Sequence, residues 1–307
     1  MTIASGFNAR RAFIAEVTGN TTPATPAFQI MRAVTGNFDP RKTTKESQEI
    51  YTDRNVRSVY QVAQDMEGNF NMEFSNSSFD YFIQNCLQST WTANVISDSN
   101  VPITYSHEDT LDNGGGALSY LRYTGCQVDS LSLSVKAANE ITMSMVAKAR
   151  GVTTGTAIIS GATYVASNTN PIEVATNVGS LAVLGLSPVP RLQGIDFTIS
   201  NSLRTRHIVG DLYSQDFGAD MVKVSGKFMA YYDSVAFLQA AIAHQAGALT
   251  FQIGTTVGQR YTISMPSVRL LDPNINLGGR TSDIMQEISF QAEGSAATPC
   301  ITITRAV

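Results

Sequence analysis

A weak internal repeat constrains the fold of this chain more than any other feature of its 307 residues. In each half, a strand-like segment is followed by a segment with helical spacing, and four matched pairs of residues are each separated by 158 positions. These pairs are Gly68 and Gly226, Phe70 and Phe228, Phe74 and Tyr232, and Phe79 and Phe237. Both halves then close with a strand that ends in glycine, at Gly151 and Gly294. Self-similarity of this kind predicts a duplicated structural unit.

Alternating apolar residues make most of the chain typical of β-structure. Phe70, Met72 and Phe74 share one face of a strand in residues 68–75, and residues 128–135 alternate strictly. The best helix follows the first of these strands, with Ser77 or Ser78 as its N-cap. Its apolar side carries Phe79, Phe82, Ile83, Cys86 and Leu87, and Trp91 is expected to seal the core beside it.

The chain divides by composition into four parts. We expect an N-terminal arm at residues 1–27, with at most a short strand at 12–17, and a first domain at residues 28–151. A Gly-, Ala-, Thr- and Ser-rich connection with some strand content, such as residues 157–159 and 181–184, spans 152–190, and a second domain spans 191–307. The arm is either a solvated tail or a segment that reaches a neighbouring subunit. The polar stretches 36–54 and 97–116 are expected to be contact-making loops or solvated ones.

Charge is scarce in this chain. Charged residues make up 15% of it, where about a quarter is usual. Either a secreted protein or a subunit buried against its own copies would show this, and we favour the second because interface cores are depleted in charge. The net charge is −4, and no basic patch is present, which argues against a protein that grips DNA.

Cysteine usage and hydropathy point to the cytoplasm as the place of synthesis. Cys86, Cys126 and Cys300 are too few and too widely spaced for a disulfide framework or a zinc site, so we expect free, buried thiols. No run of 18 apolar residues and no secretion signal is found.

Catalytic and metal-binding motifs find no support. His107, His207 and His244 lie far apart and lack zinc-ligand spacing. The trio His107-Glu108-Asp109 falls in a stretch expected to be a solvated loop. Glycines 114–116 lack the following Lys of a phosphate-binding loop. We therefore predict no catalytic residue, no cofactor site and no metal site.

Several segments between residues 28 and 91 share their order and spacing with one known family. They are Ile30-Met31-Arg32, Ser47-Gln48-Glu49-Ile50, Asp53-Arg54, the strand from Gly68 to Phe74, Ser78-Phe79-Asp80 with its helix, and Trp91. This stretch resembles the tail tube proteins of long-tailed bacteriophages. The resemblance implies a mainly β fold, in which each tube domain is a β-sandwich flanked by a helix and its inner sheet joins a ring-wide β-barrel.

The resemblance also implies a function and a set of partners. Stacked rings, usually of six tube domains, would enclose a channel that holds the tape-measure protein and conducts DNA without binding it specifically. The tail terminator and distal tail or baseplate proteins would be partners, and the virion would be the location. Two tube domains per chain would make the ring a trimer with pseudo-sixfold symmetry; one domain with outer decoration would make it a hexamer.

Three other function classes stay open. A capsid decoration or tail-terminator protein would share the β-rich, low-charge composition. A carbohydrate- or receptor-binding sandwich would be expected to expose an aromatic platform, and the single Trp lies beside a helix instead. An enzyme comes last, because no motif supports it.

Overall fold

The computed structural model describes residues 6–114, 116–167, 170–172, 178–187, 189–254 and 258–306. The first half, residues 10–155, contains β1 (Arg10–Ala15), β2 (Ala27–Ile30), β3 (Ala33–Glu46), β4 (Val59–Glu73), α1 (Asp80–Cys86), β5 (Val95–Ser97), β6 (Tyr105–Asp112), β7 (Leu118–Lys136), β8 (Thr142–Ala149) and β9 (Gly151–Gly155). A short 3-10 helix, Gly6–Asn8, precedes β1, and β10 (Thr163–Val165) follows β9. The prediction of a mainly β chain is confirmed.

The second half, residues 178–306, has a similar order of elements, with two additional short strands before its helix and without counterparts of β2 and β5 among its described residues. It contains β11 (Val178–Val183), β12 (Leu192–Ser200), β13 (Arg204–Arg206), β14 (Asp216–Gly218), β15 (Lys223–Tyr231), α2 (Ala236–Ile242), β16 (Ala246–Ile253), β17 (Arg260–Asn276), β18 (Met285–Ala292) and β19 (Thr302–Ala306). Each of the two α-helices in the described residues follows the strand that the sequence repeat placed before it.

One antiparallel sheet, here called the long sheet, runs through both halves. Its strands are, in order, β3, β4, β8, the C-terminal part of β7, β12, β15, β18 and the C-terminal part of β17. The N-terminal parts of β7 and β17 belong to a second layer, where they pair with β6 and β9 and with β16 and β19. Apolar side chains from both layers form one core, which includes Phe70, Leu133, Phe197 and Phe290.

Strands β7 and β17 pass between the layers at irregularities in their pairing. The register with β8 shifts between Val128 and Ser130, and the register with β18 shifts between Leu270 and Pro273. A bulge of this kind bends a strand and increases its twist, which allows one strand to serve two sheets.

The pairing registers of the two halves correspond residue by residue. In the first half Tyr105 pairs with Cys126 and His107 with Tyr123. In the second half Gly247 pairs with Val268 and Leu249 with Met265, each 142 positions later, and the register shift lies at the same place. Equivalent residues also pair in the long sheet, although with other offsets: Phe70 pairs with Met145, and Phe228 pairs with Ile288.

Close packing explains why glycine recurs in the repeated strand. A Cβ atom at Gly68 would lie 2.7 Å from the rings of Phe38 and Phe70. At Gly226 it would lie 2.3 Å from the carbonyl oxygen of Asp196 and 2.6 Å from the ring of Phe290. Both positions therefore exclude a side chain, since the space is filled by the aromatic core and the neighbouring strand.

The polar stretch 97–116 is a loop only in part, at residues 98–104 and 113–114, because a strand lies between them, contrary to expectation. β6 occupies Tyr105–Asp112, pairs with β1 on one side and β7 on the other, and its residues from Tyr105 to Thr110 are all buried. Polar side chains concealed this strand, because several of them have partners far away in the sequence, such as Glu16 for Ser106 and Arg10 for Thr110.

Other local expectations also need correction. The polar residues after Gly36 form the long strand β3, which makes a hairpin with β4. The strand expected at 12–17 begins at Arg10, where it pairs with β6. Residues 157–159 are not a strand, and Ile158 is 49% exposed. Helix α1 has Phe79 as its N-cap and no side-chain cap, because Ser78 is bonded to Ser75 instead.

Candidate assembly interface

The two halves join through β7 and β12 in the long sheet. Seven residue pairs, from Gly194 with Lys136 to Ser200 with Ser130, form this antiparallel junction. On the core side lie Leu131, Leu133 and Val135 of β7 and Ile195, Phe197 and Ile199 of β12, all buried. On the other side Ser132 Oγ lies 2.7 Å from Thr198 Oγ1. The junction thus combines backbone pairing, an apolar contact and a polar ladder.

The second layer also crosses the boundary between the halves. β19 pairs with β5, with Ile303 opposite Ile96. Nearby, the Tyr261 hydroxyl donates to the Asp80 carboxylate, and Arg305 Nη1 donates to the other oxygen of that carboxylate. Burial, reinforced by the negative charge of Asp80, raises the pKa of Tyr261 above its ordinary value. These contacts fix the first helix to the second half.

The two ends of the long sheet are open. β3 pairs with β4 only, and residues 273–276 of β17 pair with β18 only, among the strands that the structure describes. β3 corresponds to β12, because Phe38 lies opposite Gly68 as Phe197 lies opposite Gly226. The C-terminal part of β17 corresponds to that of β7. Within the chain, β12 pairs with the C-terminal part of β7. The chain therefore has one open edge of each type, because β3 is equivalent to β12 and the C-terminal part of β17 is equivalent to that of β7.

Exposure at these open edges differs sharply from exposure at the junction. Val135, at the end of β7, is 3% exposed because it packs against the partner strand, whereas Leu277, its counterpart 142 positions later, is 69% exposed. Val34 on the other open edge is 62% exposed. Unpaired strand edges with exposed apolar residues are templates for pairing with another chain.

The face of the long sheet turned away from the core is polar and concave. A groove of about 500 Å³ crosses β4, β8, β7 and β12 on this face. Three carboxylates, from Glu73, Glu140 and Asp196, and one ammonium group, from Lys136, line the groove together with serine, threonine and asparagine side chains. The face is hydroxyl-rich and mildly acidic.

The hairpin of β3 and β4 extends beyond the sandwich. From residue 39 to residue 62 every residue except the half-buried Ser47 is exposed, and Ile50 at the tip is 99% exposed. Val56, Val59 and Tyr60 add further exposed apolar surface. Within the polar stretch 36–54, residues 36–46 are a paired strand and residues 47–54 belong to the loop at the tip of the hairpin.

The trio His107-Glu108-Asp109 is buried in β6 and not solvated. His107 Nε2 lies 2.9 Å from Asp109 Oδ1, and Arg11 Nε lies 3.5 Å from the same oxygen. Arg122 Nε donates to Glu108 Oε2 at 2.7 Å. Internal partners thus account for these charges, and no group of metal-ligating side chains occurs within the described residues.

The other two histidines are not brought near this cluster. His207 Nε2 lies 3.4 Å from Asp65, and His244 Nδ1 lies 3.2 Å from the carbonyl oxygen of Leu270. The glycine stretch 114–116 falls partly outside the described residues, since residue 115 is not described.

The cysteines are free and buried, as predicted. Burial raises the pKa of the Cys300 thiol to about 12, with a further contribution from Asp98, and burial also raises the pKa of Cys86 and Cys126. All three stay protonated at neutral pH, so they are poor nucleophiles. Neither described helix is long and apolar enough to span a membrane.

Comparison with known families gives one match. A family model described as a phage tail tube protein matches residues 6–292, which is most of the chain. No curated protein matches the chain significantly. The matched region includes the first open edge, the junction between the halves and the second open edge. The chain belongs to the phage tail tube protein family and is a structural component of the phage tail.

Proposed function

We propose that this chain polymerises into stacked rings, with three chains in each ring, and that the long sheets of the three chains join into one barrel around a channel. The observation that carries the proposal is the pair of complementary open edges on the long sheet. A head-to-tail contact between unlike edges closes a ring when the rotation per subunit divides a full turn. With two tube domains per chain, three chains supply the six domains that the family resemblance leads us to expect.

The two tube domains are residues 28–151 and 191–307, with residues 1–27 as an arm and 152–190 as the connection. The matching registers of the two halves support this division. β1 and β11 lie before these ranges and pair with β6 and β16, so each domain also takes one strand from the segment that precedes it.

The β7–β12 junction supplies the expected register between neighbouring chains. Leu133 lies opposite Phe197 in that junction, so Ile275 is expected opposite Phe38 of the next chain. Val135 lies opposite Ile195, so Leu277 is expected opposite Gly36. The contact would bury Leu277 as Val135 is buried, and it would remove both open edges of the long sheet.

The concave polar face is the wall of the channel in this proposal. The carboxylates in this wall repel phosphates, and its serine, threonine and asparagine side chains carry no charge that would attract them. DNA-binding proteins, in contrast, attract phosphates with lysine and arginine side chains. The channel would hold the tape-measure protein and then conduct DNA without specific binding. The tail terminator and distal tail or baseplate proteins would cap the tube, whose subunits are made in the cytoplasm of the host bacterium.

A charged substitution at the open edge tests this proposal. Leu277→Asp places a carboxylate where the neighbouring strand is expected, so the variant should remain a folded monomer by circular dichroism and sedimentation. Ile158→Asp is the matched control, since Ile158 is also an exposed aliphatic residue but follows Ala157, whose carbonyl oxygen accepts from Arg122 in the second layer. The Ile158→Asp control should assemble like the parent chain. If Leu277→Asp also assembled like the parent chain, the proposed edge contact would be wrong.

A further inference from the structure

The two open edges of the long sheet carry polar residues at positions equivalent to the polar ladder of the junction. β3 corresponds to β12 at a separation of 159 positions, because the pairing register shifts after Ala33 in β3 and after Leu192 in β12. The C-terminal parts of β7 and β17 correspond at a separation of 142 positions. The polar pairs of the junction are Asp196 with Ser134, Thr198 with Ser132, and Ser200 with Ser130. Their equivalents at the open edges are Asn37 and Asn276, Asp39 and Asn274, and Arg41 and Asp272.

The two asparagines of the first equivalent pair have complementary groups available. Asn37 donates its side-chain N–H to the carboxylate of Asp39, so its side-chain oxygen is able to accept. The side-chain oxygen of Asn276 accepts a backbone N–H two residues further on at 2.9 Å, so its side-chain amide is able to donate. In the junction the same position is bonded, because Ser134 donates to Asp196.

The other two equivalent pairs also combine a donor with an acceptor. Asn274 is exposed and has an amide that is able to donate to the carboxylate of Asp39. Asp272 is exposed too, and its equivalent partner is a cation, Arg41. Arg41 Nη2 lies 3.1 Å from the carboxylate of Glu67 in its own chain, and the guanidinium has further N–H groups for a second carboxylate. The two edges are therefore complementary in hydrogen bonding and in charge.

Each open edge also carries one proline. Pro40 and Pro273 are equivalent to Ile199 and Leu131, which lie opposite each other in the junction. β12 donates a backbone N–H to β7 two residues further along, at 2.8 Å. Because hydrogen-bonded pairs recur at every second residue of an antiparallel ladder, Ile199 and Leu131 occupy such a pair. Neither proline has an N–H to donate, so backbone pairing between chains ends at this level on both strands.

The prolines and the charged pair favour the same register between two chains. In the register of the junction the two prolines face each other, so the ladder is interrupted once, and Arg41 faces Asp272. A shift by two residues in one direction places Asp39 opposite Asp272, where two carboxylates repel. A shift in the other direction takes Asp272 away from Arg41, and both shifts interrupt the ladder at two places. A shift by one residue turns the apolar side chains of β17 to the polar face.

We propose that a polar ladder on the channel wall holds neighbouring subunits of the ring in register. In this ladder three residues of one subunit face three residues of the next: Asn37 faces Asn276, Asp39 faces Asn274, and Arg41 faces Asp272. The prolines end the backbone pairing at one level, which leaves the tip of the hairpin free for other contacts. This proposal rests on the proposed ring, and it assigns the direction and the register of the contact to named side chains.

Reversal of the charged pair tests the ladder. Arg41→Asp and Asp272→Arg should each raise the protein concentration needed for assembly about tenfold, because an attractive pair becomes repulsive at every contact between chains. The double variant, Arg41→Asp with Asp272→Arg, restores the attraction and should assemble at nearly the concentration of the parent chain. Sedimentation and negative-stain microscopy measure assembly, and circular dichroism checks that each variant is folded.

A second double variant controls for net charge. Lys42→Asp with Asp272→Arg has the same net charge as the first double variant. Lys42 is also exposed, but its side chain lies on the other face of β3 from Arg41. This control should assemble as poorly as Asp272→Arg alone, since Arg41 still faces an arginine.

An equal mixture of the two single variants reports the number of chains in the ring. Each single variant repels its own copies, whereas both contacts between the two variants are attractive. The two kinds of chain must therefore alternate around a ring. A ring of three chains keeps one repulsive contact, so the mixture should assemble less well than the first double variant, whereas a ring of six chains would close without one.

The outcomes separate the ladder from the proposed ring. Recovery in the first double variant but not in the Lys42 control supports the ladder. If the parent chain forms rings and the first double variant is no better than the single variants, or the Lys42 control recovers equally, the ladder is wrong and the ring stands. A mixture that assembles as well as the first double variant would keep the ladder and overturn the three-chain ring. A parent chain that forms no rings would overturn both.

Discussion

The hydroxyl oxygen of Tyr261 accepts the backbone N–H of Ser77 at 2.8 Å, so a side chain of the second half satisfies the backbone just before the first helix. The same hydroxyl donates to Asp80. One buried phenol thus joins the two halves by two hydrogen bonds, so we expect the two halves to unfold together.

Replacing this phenol tests that coupling. Tyr261→Phe leaves the ring but removes both hydrogen bonds, so a buried N–H and a carboxylate lose a partner. We expect the free energy of unfolding to fall by about 2 kcal/mol, measured by urea denaturation. Tyr60→Phe, at a tyrosine that is 49% exposed, is the control and should change it little. Equal stabilities of the two variants would contradict the coupling.

The repeated glycine provides a second prediction. Gly226→Ala would bring a methyl group within 2.3 Å of the Asp196 carbonyl oxygen, which forces β12 away from β15. We expect a loss of about 1–3 kcal/mol in the free energy of unfolding. Gly279→Ala is the matched control, because its nearest neighbour would be 3.9 Å away. A Gly226 variant as stable as the control would show that the strands are not held this closely.

The buried pair of His107 and Asp109 has apolar counterparts in the second half, Leu249 and Phe251, which allows a third prediction. Asp109→Ala removes the carboxylate that faces both His107 and Arg11, and we expect a loss of about 3 kcal/mol. The double variant with His107→Leu should recover part of this loss, since the unpartnered imidazole is gone. A double variant that is less stable than Asp109→Ala would contradict this explanation.

High pH should destabilise the folded chain through its buried tyrosines. Burial, with a smaller contribution from Asp109, raises the pKa of Tyr123 from 10.0 to about 12. The folded state therefore prefers the neutral phenol, so its stabilising effect is complete below pH 10 and is lost as the pH rises towards 12. Urea denaturation at pH 9 and pH 11 should show a smaller decrease for Tyr123→Phe than for the parent. An identical decrease would count against this assignment.

The exposed hairpin gives a prediction about stacking. Replacing residues 47–58 by Asn-Gly keeps the β3–β4 pairing up to Glu46 and Val59, so the chain should fold normally. Because the removed tip carries Ile50 and Val56 with no core contact, we expect rings that do not stack into filaments, as seen by negative-stain microscopy. Normal filaments would remove the hairpin tip from the ring-to-ring contacts.

The strands that the sequence predicts well are those in which apolar side chains, buried in the core, alternate with polar ones. Phe70, Met72 and Phe74 alternate with polar residues, and all three are buried in β4. Val128, Leu131 and Leu133 of β7 are buried too, although the bulge after Val128 breaks their strict alternation. Hydrophobic periodicity is sufficient in such cases because one face of the strand contacts the core along its whole length.

Strand β6 could not be predicted in the same way. The burial of Glu108 depends on Arg122 and Tyr164, and that of Asp109 on Arg11, all of which are remote in sequence. The sequence likewise does not show which strands lie at the open edges of the sheet, because the periodicity of one strand does not indicate which other strand it pairs with. The sequence repeat has an offset of 158 positions, whereas Leu277 lies 142 positions after Val135, and that second offset emerges only from the pairing registers.

Electron microscopy of the assembled protein, with top views classified by symmetry and averaged, tests the central claim most directly. The proposal predicts hollow filaments of stacked rings, with three chains per ring and six similar units around the channel. Rings of six chains, or closed rings that never stack, would contradict it.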